Sequence, residues 1–228
     1  MSEHYFTPEP SAPHRPHLIR LDWRGVRLWL HTDRGVFSYR RVDPGTRLLA
    51  EAFEPEGARR VVDLGAGYGA LGLMLAARFP DLAVVMVEIN RRAARLCRLN
   101  VERNGLRARV LVADGLAALA PCSVDAVVTN PPVRAGRGVL HAWMDQAARV
   151  LRPGGAFWMV ALTRQGARTL AEAAGTRIGP VELVERGSGY RVFRARRPAR
   201  PVPGEPSASS RAESAGTEDQ GGGACRPM

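Results

Sequence analysis

A doubly wound α/β fold on a mostly parallel sheet is predicted by three observations. Seven short apolar runs recur, at "RVVDLG", "AVVMVE", "ARVLVAD", "VDAVVTN", "GAFWMVAL", "VELVE" and "YRVFRA". Most are apolar at consecutive rather than alternate positions, as strands covered on both faces require. Helical segments at 71–78, 90–104, 138–151 and 164–174 separate most of them, and a glycine-rich turn joins the first of these strands to the first of these helices.

Ahead of this series, "LIRLDWRGVRLWLHTD" alternates apolar and polar positions around Arg24-Gly25, which predicts a β-hairpin over 18–31. "VDPGTRLL" then reads as an Asp43 cap and the first turn of a helix. The expected organisation is a flexible N-terminus over 1–17, a domain over 18–197 with 18–42 as its hairpin extension, and a tail over 198–228. That tail is rich in Pro, Ser and Gly and poor in large apolar side chains, so it cannot bury enough surface to offset its ordering entropy and is expected to be disordered.

No run reaches the ~18 apolar residues of a membrane span, and the polar, proline-containing start lacks a signal-peptide apolar core, so no membrane partner and a cytoplasmic location are expected. Cys97, Cys122 and Cys225 have no metal-ligand spacing and are read as reduced and structural; no metal is expected. The formal net charge of +11 suits a polyanionic partner. Every basic residue is arginine, however, and that bias, alongside abundant Ala and Gly, looks like GC-rich coding, so the charge supports such a partner without identifying one.

In a doubly wound sheet, ligands sit beyond the carboxyl ends of the strands where strand order reverses. The first such loop is "VVDLGAGYGALG": Gly65, Ala66, Gly67 and Gly69 follow a strand and open a helix, so backbone can approach a ligand and helix N–H groups can face it. Gly67, Gly69 and Gly72 also satisfy the dinucleotide pattern G-x-G-x-x-G. Against that reading, Asp63 just inside the strand end would repel a pyrophosphate but accept from an ammonium, and D-x-G-x-G-x-G suits a zwitterionic amino acid better. At the end of the next strand, Glu88 can accept both hydroxyls of a ribose. Asp114, after "VLVA", can accept from an adenine amino group, although Asp-Gly is also a common turn pair. An amino acid, a ribose and an adenine together describe S-adenosylmethionine.

Asp63 to Gly69, Glu88, Asp114 and Asn130-Pro131-Pro132-Val133 resemble the ordered motifs of class I S-adenosylmethionine-dependent methyltransferases. With "TDRGVFSYRRVDPGTRLLAEA", "NPPVRAGRGVLHAW", "LRPGG" and "SGYRVF", the chain is similar over roughly 18–196 to the small-domain ribosomal RNA guanine-N2 methyltransferases. The resemblance implies a Rossmann-like, seven-stranded sheet whose last strand, "YRVFRA", is antiparallel. It also implies that Gly45 and Thr46 approach the cofactor.

The chemistry explains the Asn-Pro-Pro motif. An exocyclic amine is a poor nucleophile because its lone pair is delocalised into the ring, so it must be gripped. The Asn130 side-chain carbonyl and the Pro131 backbone carbonyl can each accept one of its N–H groups, and Pro131 and Pro132 end the strand so that the carbonyl stays available. Related adenine-N6 and glutamine-amide enzymes carry an aromatic where this chain has Val133, and the guanine-N2 family carries an aliphatic residue there. Arg134 and Arg137 are candidates for phosphates flanking a flipped base. His141 reads as structural, and Trp23, Trp29, Trp143 and Trp158 as core or hairpin packing. Longer members of the family carry a preceding degenerate domain, which leaves the mode of RNA docking open, as is the oligomeric state. The reading is therefore methyl transfer to guanine N2 of ribosomal RNA, against a small-molecule or protein-amide methyltransferase or a non-catalytic cofactor-binding module.

Overall fold

The strands' continuous apolar character has its expected result. A computed structural model describes residues 8–199, apart from the side chain of Arg134. A hairpin of β1 (His17–Trp23) and β2 (Val26–Thr32) comes first, turning at Arg24 and Gly25, both with positive φ as a two-residue hairpin turn demands. Then follow α1 (Pro44–Ala52), β3 (Arg60–Leu64), α2 (Ala70–Arg78), β4 (Ala83–Glu88), α3 (Arg91–Arg103), β5 (Ala108–Val112) and β6 (Val124–Thr129). The chain continues through α4 (Arg137–Val150), β7 (Leu151–Leu162), α5 (Ala167–Arg177), β8 (Val181–Gly187) and β9 (Tyr190–Arg196).

The main sheet has seven strands in the order β5-β4-β3-β6-β7-β9-β8, parallel except for β9, which runs antiparallel to both neighbours. The strand order therefore reverses between β3 and β6. One face packs on α1, α2, α3 and the hairpin, the other on α4 and α5.

The hairpin is attached through Asn100 on α3 and Asn104, which caps the C-terminus of α3. Asn104 accepts from Trp29 N–H at 2.9 Å and donates to Trp29 C=O at 2.9 Å. Fully buried Asn100 does the same for His31, at 2.6 and 2.9 Å, and also donates to Tyr68 C=O at 2.9 Å. Their amides stand in for a neighbouring strand along β2 and tie the hairpin to the glycine loop.

Several boundaries differ from expectation. β7 begins at Leu151 rather than 155, because "LRPG" pairs through an irregular register between Val124 and Ala126 that accommodates Pro153. α5 begins at Ala167 rather than 164, because Gly166 at φ 83° separates a 3-10 turn at Thr163–Gln165. Of the N-terminus expected to be flexible, residues 1–7 lie outside the described residues. Pro8 C=O, however, accepts from Arg91 N–H, Arg92 grips Ala12 C=O, and His14 and Arg15 N–H reach buried Asp33. Of the expected tail, residues 200–228 and Cys225 are outside the described residues. Cys97 is free and buried. No helix among the described residues is long and apolar enough to cross a membrane.

Asn100→Leu leaves an N–H and two carbonyls without partners at a buried position, so it should destabilise the fold by about 2 kcal/mol or more in urea unfolding. A change below about 0.5 kcal/mol would refute the strand-mimicking role.

Candidate cofactor and active site

β3 and β4 deliver two buried carboxylates side by side. Asp63 is 1% exposed, and its Oδ2 accepts from Gly72 N–H at 2.9 Å. α2 begins on Gly69, which has no side chain to cap it, so Asp63 satisfies a first-turn donor from the strand behind. Glu88 bridges two loops, its Oε2 accepting from Gly67 N–H and its Oε1 from Asn90 N–H, both at 2.7 Å. Gly65 and Ala66 N–H bond Val87 C=O at 2.9 and 3.0 Å. The N–H groups of Gly65, Ala66 and Gly67 are thus engaged by the end of β4, and the loop is braced rather than open.

Burial raises the pKa of both carboxyls. Asp63 is pushed up to about 7, by burial first and then by the neighbouring charge of Glu88, against the opposing Gly72 N–H. Glu88 is raised by burial, again with backbone N–H groups opposing.

Two adjoining cavities open over these groups. The larger, about 60 Å³, is bordered by Glu88, Ile89, Ala113, Gly115, Trp143 and Pro131-Pro132. The smaller, about 30 Å³, is bordered by Asp63, Asp43, Thr46, Ser38, Ala66 and Tyr68. Phe37, Gly65, Gly67 and Asn130 line both. Gly65 has φ 73°, and a Cβ there would meet the Trp143 ring at 2.8 Å. The arrangement accommodates a nucleoside with a short zwitterionic arm: a carboxylate borders each compartment, and the glycine backbone forms the shared wall.

Asn130 stands where β6 ends. Thr129 Oγ1 donates to Leu64 C=O at 2.8 Å, locking β6 to the end of β3. The Asn130 Nδ2 donates to Asp43 Oδ2 at 3.0 Å and Thr46 Oγ1 at 2.9 Å, both at the start of α1. Its Oδ1 has no partner among the described residues. The expectation for Pro131 needs correction: its carbonyl accepts from Val133 N–H at 2.9 Å in a tight turn centred on Pro132, at φ −75° and ψ 81°. One of its two lone pairs remains for a ligand.

The other expected site residues are distributed unevenly. Gly69, at φ 93°, packs against Cys97 and borders neither cavity; Asp114 is exposed and borders neither, although its neighbours Ala113 and Gly115 do. Val133 is half-buried in a 3-10 turn (Val133–Ala135), Arg137 is exposed at the start of α4, and neither borders a cavity. Arg134 shares the 3-10 turn through its backbone, and its side chain lies outside the described residues. Sequence reasoning missed Phe37, which no pattern marked, and Trp143, whose spacing with Leu140, Met144 and Ala147 reads as core although it also borders the larger cavity.

The strand order, with an antiparallel strand inserted next to the edge, and the glycine loop between two strand-end carboxylates define a Rossmann-like methyltransferase. The methyltransferase small domain family matches residues 27–194, and the chain belongs to that family of S-adenosylmethionine-dependent enzymes. It is 34% identical over 200 residues to the Bacillus subtilis protein YbxB, described as uncharacterized, covering 86% of this chain and 100% of that protein. It is 36% identical to ribosomal RNA small subunit methyltransferase C of Hahella chejuensis, over 74% of this chain and 49% of that enzyme. Among solved structures, the T. thermophilus 16S rRNA N2 G1207 methyltransferase (RsmC), in complex with AdoMet and guanosine, matches with a TM-score of 0.71 and 33% identity. That match covers 81% of this chain and 51% of the other. The chain thus spans about half the length of the RNA methyltransferases it matches.

Gly65→Ala combines a left-handed backbone with a contact against Trp143, and should lower stability by roughly 1–3 kcal/mol. Adding Trp143→Ala removes the contact but not the backbone strain, so in thermal unfolding the pair should lose less than the sum of the single changes. Additive losses would disprove the packing between Gly65 and Trp143.

Proposed function

We propose that this chain transfers a methyl group from S-adenosylmethionine to an exocyclic amine, N2 of a guanine in ribosomal RNA. The Asn130 amide carries the reading. Its nitrogen is engaged at the start of α1, so its oxygen is the group left to receive a substrate N–H at the junction of the two cavities. The ribosomal RNA relatives and the aliphatic Val133 favour guanine over other amines.

In this reading Asp63 faces the ammonium of the cofactor in the smaller cavity, and Glu88 uses its remaining lone pairs for ribose hydroxyls in the larger. Gly65, Ala66 and Gly67 form the wall along which the cofactor lies, with Gly69 packing the loop behind them. Ala113, Gly115 and Trp143 border the base, and Asp114 lies at the outer end of that wall. When bound, S-adenosylmethionine supplies an electrophilic methyl group on a positively charged sulfur, a good leaving group. The protein's part is orientation. Asn130 Oδ1 and the open lone pair of Pro131 C=O accept the two amine N–H groups, turning the nitrogen lone pair toward the methyl. Pro131, Pro132 and Phe37 exclude water from that corner. Such positioning can contribute ~7 kcal/mol or more, and it needs neither a metal nor a strong base. Arg134 and Arg137 are assigned to phosphates beside the target nucleotide, and an RNA substrate agrees with the cytoplasmic location expected from sequence.

Label transfer from S-adenosylmethionine into total RNA, protein and metabolites of a deletion strain tests the substrate. Label is expected as N2-methylguanine in ribosomal RNA; label confined to protein or metabolites would shift the assignment to those acceptors. Asn130→Ala should lower turnover by roughly 100-fold or more with cofactor affinity changed less than about twofold; wild-type turnover would remove Asn130 from the role.

Below about pH 7 Asp63 takes up a proton and its attraction for an ammonium is lost. Cofactor affinity should therefore fall as pH drops from 7.5 to 6, and Asp63→Asn should bind more weakly with a flatter profile in calorimetric titration. A profile identical to that of the wild type would exclude Asp63 as the ammonium partner.

A further inference from the structure

An asparagine amide has two ends of nearly equal shape and opposite hydrogen-bonding sense, so its neighbours decide which end faces a ligand. At Asn130 that decision lies with Asp43. An ionised carboxylate only accepts, and Asp43 Oδ2 stands 3.0 Å from the Asn130 amide nitrogen. Reversing the amide would set its carbonyl oxygen against a carboxylate oxygen at that distance. Thr46 Oγ1, at 2.9 Å, takes the second N–H but does not discriminate, since a hydroxyl can also donate. Asp43 is itself held from two sides. Its Oδ2 accepts from Thr46 N–H at 3.1 Å, capping α1, and its Oδ1 accepts from the Tyr190 hydroxyl at 3.2 Å. The Tyr190 ring lies so close over Gly45 that a Cβ there would approach it to 2.6 Å.

We propose that Asp43 is a positioning residue for methyl transfer: it orients the Asn130 amide so that Oδ1 faces the target amine, and Tyr190, reaching across from β9, holds Asp43 in place. The inference rests on the reading that Asn130 Oδ1 receives that amine. Asp43 also borders the smaller cavity, assigned above to the cofactor's zwitterionic arm, so its effect on Asn130 is read from the Asn130 signals and from kcat, and its helix-capping role can be separated from its orienting one.

Asp43→Ser keeps a good cap and removes the obligate acceptor. The chain has four asparagines, so selective isotopic labelling gives four side-chain amide pairs, and the Asn130 pair is the one missing in Asn130→Ala. Three results are expected for Asp43→Ser. The Asn130 amide signals shift and exchange faster with solvent. S-adenosylmethionine affinity by titration changes by a smaller factor than kcat does. The kcat for ribosomal RNA from a deletion strain falls about tenfold or more, while thermal stability is near that of the wild type. Tyr190→Phe, which loses one hydroxyl and should fold, should show the same signature at smaller amplitude, with kcat down about threefold or more. Unchanged Asn130 signals, or changed signals with wild-type kcat, in Asp43→Ser would overturn the inference; if that variant does not fold, the same two outcomes in Tyr190→Phe decide it. Wild-type turnover in Asn130→Ala would instead overturn the underlying reading of Asn130, so the two failures are distinguishable.

Discussion

The site depends on the cost of burying two carboxylates next to each other. Asp63 and Glu88 end adjacent parallel strands, almost out of contact with water, and each would be unfavourable as a charge without compensation. Backbone N–H groups of Gly72, Gly67 and Asn90 provide part of it. Because those donors belong to the loops after β3 and β4, satisfying the carboxylates also fixes the loops. The remaining negative potential is matched by a ligand that carries positive charge, and the sulfonium cofactor of this family does. Binding and loop architecture are thus two results of one electrostatic requirement.

The corner assigned above to gripping the amine is built differently. It draws on three segments far apart in sequence: Asp43 and Thr46 at the start of α1, Asn130 beyond β6, and Tyr190 at the start of β9. No one of these carries the arrangement alone. α1 supplies rigid acceptors because Pro44 and the Asp43 cap fix its first turn, and β6 supplies a strand end locked to β3 through Thr129.

Much of this was legible in the chain because the fold uses local signals where the chemistry is. Consecutive apolar strands revealed a sheet covered on both faces, and Asp63, Glu88 and Asn130 stood at the ends of those strands, where sheet geometry places ligands. Less legible was whatever depends on a partner far away in sequence. The engagement of Gly65, Ala66 and Gly67 N–H by β4 cannot be read from the glycines, and the turn that takes Pro131 C=O depends on the ψ of Pro132. Nothing local to Asn100 says that β2 would present its backbone to it. Asp114 shows the opposite case: its local pattern suggests a ligand contact, and the strand ends two residues earlier, leaving it exposed.

The position of β9 bears on how an enzyme of this design comes into being. It is the last strand among the described residues, yet it occupies an interior place, between β7 and β8. Until it arrives, β7 has an open edge and β8 has no neighbour within the sheet, so a nascent polypeptide can hold the cofactor-binding half in near-final form while the reactive corner still lacks Tyr190. On the roles proposed for Asn130 and Asp43, competence for binding precedes competence for chemistry during the birth of each molecule, separated by the time taken to thread one strand.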